Sequence, residues 1–268
     1  MESYTDALCK ELAAKGETLS TLGKASTIYI GGGTPTALPV PLLARVIQTA
    51  QAVIPTTDNL EFTVEANPGT VTLETMTMLS TLGVNRVSIG AQVFDDAILK
   101  RIGRIHTSQD IRDAVRWARA ALIVDVSVDL MYGLPGQTMD DLVADLKLTH
   151  ELPLAMNSTT IFVPAENTEY ANEPAGNPVL TLNMMALLRI MNPHRLMPTT
   201  SSLEKMMHDG QYLGLMAGAN TVTIHDGTPE EFHKFFPIYS AKRVRPQLDH
   251  FKEIVKRAGM TARFEIQP

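Results

Sequence analysis

One cysteine, Cys9, stands among 268 residues. A single thiol makes no intrachain disulfide and no cysteine-only metal site. It cannot by itself hold an iron–sulfur cluster, which takes several thiolates. Cys9 falls in a segment of helical pattern, where a small buried hydrophobe is the simpler reading and a reactive thiol the other. A basic block is also missing: Lys and Arg number 23 against 29 Asp and Glu, a net charge of −6. Electrostatic nucleic-acid binding is therefore not expected. No apolar run approaches the ~18 residues of a membrane-spanning helix. The opening MESYTDALCKELAAK reads as an amphipathic helix without a signal-peptide core. The expectation is a cytoplasmic protein with no membrane partner. No Pro/Gly/Ser-rich linker divides the chain, so a single domain over residues 1–268 is the economical reading.

What is present is a 44% hydrophobic chain with 19% charged residues, enough for a sizeable core. Short apolar runs predict strands near 27–31, 60–66, 86–92, 124–131, 158–163, 195–199 and 220–225. Helical periodicity predicts helices near 3–19, 40–53, 72–82, 95–102, 108–121, 138–150, 180–191, 230–236 and 245–258, with a last strand at 261–266. Such alternation means parallel strands joined by crossover helices.

The strands themselves alternate. Glu61, Thr63 and Glu65 oppose Phe62, Val64 and Ala66. Arg86, Ser88, Gly90 and Gln92 oppose Val87, Ile89, Ala91 and Val93. Asp125, Ser127 and Asp129 oppose Val124, Val126, Val128 and Leu130. A doubly wound sheet, covered on both faces, reads as continuous apolar runs. Alternation instead puts the apolar faces against helices and the polar faces in a barrel lumen. Buried charges there must be paired or hydrated. Internal Glu–Arg and Asp–Arg pairs are one reading; a polar ligand cavity is the other.

Gly31-Gly32-Gly33-Thr34-Pro35 ends the first of these strands. Glycines let a backbone approach a ligand closely, although a tight turn explains them equally well. The run is neither a P-loop nor a dinucleotide fingerprint. Its place at a strand's C-terminal end is the stronger signal, because barrel active sites lie there.

YIGGGTPTALP, FTVEANP, NRVSIGAQVFDDAILKRIGRIHT and VSVDLMYGLPGQT follow one another in order. Together they resemble the coproporphyrinogen III dehydrogenase and heme-chaperone branch of the radical S-adenosylmethionine (SAM) superfamily, over residues 1–138. LTLNMMALLRIMNPHRLMPTTSSLE, GLMAGANTVTIHDGTP and KEIVKRAGMTAR, within 139–268, resemble the branch of methylornithine synthase, the hydrogenase maturase HydE and biotin synthase. The halves meet at GLPGQT, so the chain reads as a chimera, natural or engineered. The resemblance implies a SAM site. Gly32, Gly33 and Thr34 match the segment that holds the methionine amino group, and Glu65, Gln92, Arg104 and Asp129 match further SAM contacts. A carboxylate suits an ammonium, and an arginine a carboxylate.

The family's CxxxCxxC loop and the strand before it have no counterpart in this sequence. No 4Fe–4S cluster is expected from this chain, and no catalytic residue is assigned. The expected fold is α/β: a TIM-like (β/α) barrel with a polar lumen, whose first family strand is missing. The segment 261–266 is positioned to replace it, with a frayed tail as the alternative. Methylornithine synthase has Ser-Leu-Asp where this chain has Thr200, Ser201 and Ser202, and Ser158 stands near the place of a carboxylate-binding arginine. His225, Asp226, Glu230, Glu231 and His233 match no standard metal spacing, and Thr228-Pro229-Glu230-Glu231 reads as a capped helix start. No metal site is assigned. The paired methionines Met184-Met185 and Met206-Met207, and Trp117, read as core. Three functions remain open: an inactive or recombined scaffold, a truncated radical SAM enzyme acting on an amino-acid-like or tetrapyrrole substrate, and a clusterless SAM-binding protein. A small-molecule ligand is the partner all three leave room for.

Overall fold

A computed structural model of the chain describes residues 1–224 and 247–263. In chain order it runs α1 (Glu2–Thr21), β1 (Ala25–Ile30), α2 (Val40–Val53), β2 (Thr56–Ala66), α3 (Leu73–Thr81), β3 (Arg86–Gln92), α4 (Asp96–Arg101), α5 (Ser108–Ala120) and β4 (Asp125–Tyr132). It continues through α6 (Met139–Glu151), β5 (Met156–Ile161), α7 (Pro178–Met191), β6 (Pro198–Thr199), α8 (Ser201–Met206), α9 (Gly210–Met216), β7 (Thr221–Val222) and α10 (Leu248–Arg257).

The fold class is α/β, of the parallel-stranded half-barrel kind. One sheet has the order β1-β2-β3-β4-β5, and a second pairs β6 with β7. Tyr29 lies opposite Thr63, Ile30 opposite Val64 and Glu65 opposite Ser88, all in parallel register. A parallel bridge between Met156 and Leu196 carries the pairing from β5 toward β6. The seven strands thus follow one another as the sequence predicts. The chain divides into two compact units. Among the described residues one holds 1–91 and 105–128, the other 92–104, 129–224 and 247–263.

Helix starts carry the signals that their sequences advertise. Thr107 and Asp110 close a reciprocal capping box on α5, and Thr138 and Asp141 do the same on α6. Asn177 caps α7, with Pro178 in the first turn where its missing N–H costs nothing. The alternation in the strands is realised as burial. Phe62, Val64 and Ala66 of β2, Val87, Ile89 and Ala91 of β3, and Val126, Val128 and Leu130 of β4 are all buried. On the opposite faces Glu61, Glu65, Arg86, Gln92 and Asp129 keep partial exposure.

Several expectations need correction. Val124 is 58% exposed, because β4 starts one residue later, at Asp125, and Val124 lies in the connection before it. Cys9 and Trp117 are half-buried rather than core. Met184 and Met185 are buried as expected, whereas Met206 and Met207 are half-buried at the end of α8. The strand expected at 195–199 keeps only Pro198 and Thr199, and that at 220–225 only Thr221 and Val222. Of the C-terminal strand, residues 261–263 are described and carry no strand; 264–266 lie outside the described residues. So do the helix expected at 230–236 and the His225, Asp226, Glu230, Glu231 and His233 group. No helix among the described residues is long and apolar enough to cross a membrane.

Candidate ligand-binding site

The first unit places the glycine run directly beyond β1. Gly31, Gly32 and Gly33 do different work. Gly32 and Gly33 have φ of +80° and +61°, and a Cβ on either would meet nothing within 4 Å. There the left-handed backbone calls for glycine, not lack of space. At Gly31 the space decides: a Cβ would stand 2.5 Å from Tyr29 Cε1 and 2.8 Å from Glu65 Cδ.

Glu65 near the end of β2 is the centre of this cradle. The Tyr29 hydroxyl donates to its Oε1 at 2.6 Å, and the Gly32 N–H donates to its Oε2 at 3.0 Å. Two donors leave a carboxylate with lone pairs to spare. Glu61, on the same face of β2, is already spoken for by Thr63 at 3.2 Å and by Arg86 at 3.8 Å. The internal Glu–Arg pairing weighed from the sequence therefore accounts for Glu61 and not for Glu65.

Thr34 leads into a short 3-10 turn, Pro35–Ala37. The next hydroxyl is the one the sequence reading missed. Thr36 is buried, its Oγ1 lies 2.6 Å from Thr70 Oγ1, and it accepts the Asn67 N–H at 3.2 Å. Asn67 Oδ1 accepts from Gly69 N–H at 3.0 Å and lies 3.1 Å from Nδ1 of buried His106, whose Nε2 is 3.3 Å from the Ala91 carbonyl. The loops after β1 and β2 are thereby locked together. The signal was available in the segments themselves, since Thr-Pro-Thr and Asn-Pro are turn formers carrying side chains that bond the backbone.

The remaining expected residues lie in the second unit. Gln92, the last residue of β3, has φ +67°, a left-handed conformation uncommon for a residue with a side chain. Arg104 follows α4 and is half-buried; burial draws its guanidinium below its ordinary pKa. Asp129 sits within β4, also half-buried. Ser158 is buried in β5, and Thr200 Oγ1 bonds locally to Ser202 Oγ at 2.8 Å. The hydrogen bonds of the first unit bring Gly32 and Glu65 together, and Gln92, Arg104 and Asp129 belong to another unit.

The thiolates for an iron–sulfur cluster are a different matter. Cys9, in the middle of α1, is the one cysteine of the chain. Among the described residues no three His, Cys, Asp or Glu side chains are grouped to hold a metal ion. These residues do not fit a cluster. The cradle at Glu65 does fit the ammonium end of an amino acid.

Comparison with known proteins agrees with this architecture. The heme chaperone HemW of Lactococcus lactis subsp. lactis is 35% identical over 172 residues, 64% of this chain and 44% of that protein. The chain thus spans less than half the length of this relative. Coproporphyrinogen III oxidase (HemN) from Escherichia coli, a radical SAM enzyme, shares the fold with a TM-score of 0.61 at 24% identity, over 70% of this chain and 44% of the other. Methylornithine synthase (PylB) shares it with a TM-score of 0.67 at 21% identity, over 92% of this chain and 72% of the other. Residues 6–149 match the radical SAM superfamily, and since that match covers more than half of the sequence, the chain belongs to this superfamily.

Proposed function

We propose that the chain binds SAM, with Glu65 and the Gly32–Thr34 turn holding the methionine end. The observation that carries this reading is the Glu65 carboxylate. It is fixed by Tyr29 and the Gly32 N–H beneath a turn stripped of side chains, and it retains acceptor capacity for an ammonium. Bound SAM supplies a sulfonium, an ammonium and a carboxylate. Glu65 accepts from the ammonium, and the glycine turn lets the ligand approach the backbone. The family resemblance assigns further SAM contacts to Gln92, Arg104 and Asp129, with Arg104 the cation suited to the carboxylate. The junction of two family halves at Gly133–Thr138, and the reading as a scaffold without radical chemistry of its own, belong to the same proposal. The junction rests on the resemblance of the two sequence segments, and the scaffold reading on the single cysteine.

Calorimetric titration with SAM, S-adenosylhomocysteine and methionine tests it. Glu65→Gln is expected to weaken all three by roughly 10- to 150-fold, the loss of a hydrogen bond to a charged group worth about 1.5–3 kcal/mol. All three ligands carry the ammonium, so a selective loss of SAM alone would point to the sulfonium. No binding by the wild type at millimolar SAM, or an unchanged Glu65→Gln variant, overturns the reading.

The 35% identity to a heme chaperone favours a second reading, in which the chain contributes part of a tetrapyrrole-binding protein. Titration of the chain with heme, followed by its visible absorbance, decides that reading separately.

A further inference from the structure

Asp145 is a carboxylic acid on the buried side of α6, with 1% of its surface exposed. Its neighbours along the helix stripe are apolar, Leu142 and Leu146. One oxygen accepts the Phe94 N–H at 2.9 Å, and the other accepts from Gln137 Nε2 at 3.2 Å. Both partners follow strand ends of the same unit. Phe94 is two residues beyond Gln92, the residue held at φ +67°. Gln137 closes the turn after β4: its Oε1 accepts the N–H groups of Gly133 at 2.9 Å and Leu134 at 3.2 Å. A single carboxyl group thus ties the segment behind Gln92 to the loop that follows the strand of Asp129.

A third group completes the cluster. Tyr132, the last residue of β4, is 1% exposed, and its hydroxyl has no hydrogen-bond partner among the described residues. It lies close enough for the Asp145 charge to push its ionisation further up. The charged groups that act on Asp145 are Asp95, which caps α4, and Asp141, in the first turn of α6; both are acidic. No cation offsets them within this set.

We propose that Asp145 is a positioning residue for the ligand-binding ends of β3 and β4. Its ionised carboxylate holds Phe94 and Gln137 in the arrangement that binds the ligand, and protonation loosens them. The ionised form accepts from both donors at once. In the protonated form one oxygen carries a hydrogen, which competes with a donor already facing it. Burial, the larger cause, and the two nearby acids push the Asp145 carboxyl up to about 7, against the Phe94 and Gln137 hydrogen bonds that lower it. The exchange therefore falls in the neutral range. Through Gln92 and Asp129 the inference rests on the SAM reading above.

The test combines a binding ratio with a signal that needs no ligand. SAM affinity is measured at pH 6, 7 and 8 for the wild type and Asp145→Asn; their ratio cancels the ligand's own ionisation. The ratio is expected to rise about tenfold from pH 6 to pH 8, as the competent fraction climbs from about a tenth to about nine tenths. In parallel, the amide resonances of Gln92, Phe94, Gly133 and Leu134 in the wild type are expected to titrate together near neutral pH, and in Asp145→Asn not to. A flat affinity ratio, or amides of these four residues that stay still between pH 5 and 9, overturns the inference. Wild-type protein that binds no SAM at any pH overturns the SAM reading instead, and the amide titration still decides the role of Asp145. Since the amide measurement uses the wild type, it stands even where the variant fails to fold.

Discussion

Gly133→Ala is expected to destabilise the protein by about 3 kcal/mol, lowering the melting temperature by roughly 6–12 °C. Two costs combine. Gly133 has φ +78°, a region that costs an alanine about 1–2 kcal/mol. Its new Cβ would also stand 2.3 Å from the Gly176 Cα and 3.2 Å from the Gly176 nitrogen. Those are backbone atoms, and Gly176 is itself confined by Tyr132 O at 2.8 Å from its own ideal Cβ position. Relief of such overpacking costs about 1–3 kcal/mol. Gly32→Ala is the control, because Gly32 has φ +80° and open space within 4 Å. It carries the backbone cost alone, about 1–2 kcal/mol. Chemical denaturation of the two variants separates the terms. Equal losses would show that the close approach of Gly133 to Gly176 has no energetic weight.

Asp145→Asn is expected to gain on the wild type by about 2–3 kcal/mol as the pH rises from 5 to 8. In the unfolded chain the carboxyl titrates at its ordinary 3.8, and in the fold at about 7. The folded state therefore holds its proton more tightly, and ionisation costs stability. That cost grows as the pH climbs from the unfolded value toward the folded one, and levels off above it. Asparagine has no such term, but its amide group faces Gln137 Nε2, donor against donor. The variant can start below the wild type at pH 5 and still approach or overtake it at pH 8. Unfolding free energies at four pH values give the slope, which is the quantity of interest. A difference between the two proteins that does not change with pH would mean that Asp145 ionises in the fold as it does in water.

Strand order and strand faces were legible because they are local. Period-two patterning in β2, β3 and β4 put the buried apolar residues on the right side, from Phe62 to Leu130. Where pattern gave way to context, boundaries moved. β2 begins at Thr56, four residues before the apolar run, because Thr56-Thr57-Asp58-Asn59 is drawn in by pairing of Thr56 with Ala25 across an irregular register. The short helices α8 and α9 went unread, since six and seven residues show too little of a 3.6-residue period. Asp209, at φ +57°, separates α9 from the residues before it, and the Asp209-Gly210 pair is a turn signal that the strand-and-helix reading passed over.

The site was legible in part. Gly32 and Glu65 were chosen by resemblance, and their hydrogen bond is a contact between residues 33 positions apart that no spacing rule gives. Tyr29 and Thr36 were overlooked beside them because their roles depend on the partner strand. Asp145 offered a sharper clue. Leu142, Asp145, Leu146 and Thr149 recur at helical spacing and are all buried. A charge on the apolar stripe of a helix is the pattern that deserved a question.

Gly31 couples the first strand to the second. With Tyr29 and Glu65 in place, a Cβ at position 31 would stand 2.5 Å from Tyr29 Cε1 and 2.8 Å from Glu65 Cδ. Both atoms belong to side chains, so an added methyl is accommodated by turning the ring or the carboxylate aside rather than by moving backbone. A substitution at 31 therefore disturbs the cradle before it disturbs the fold.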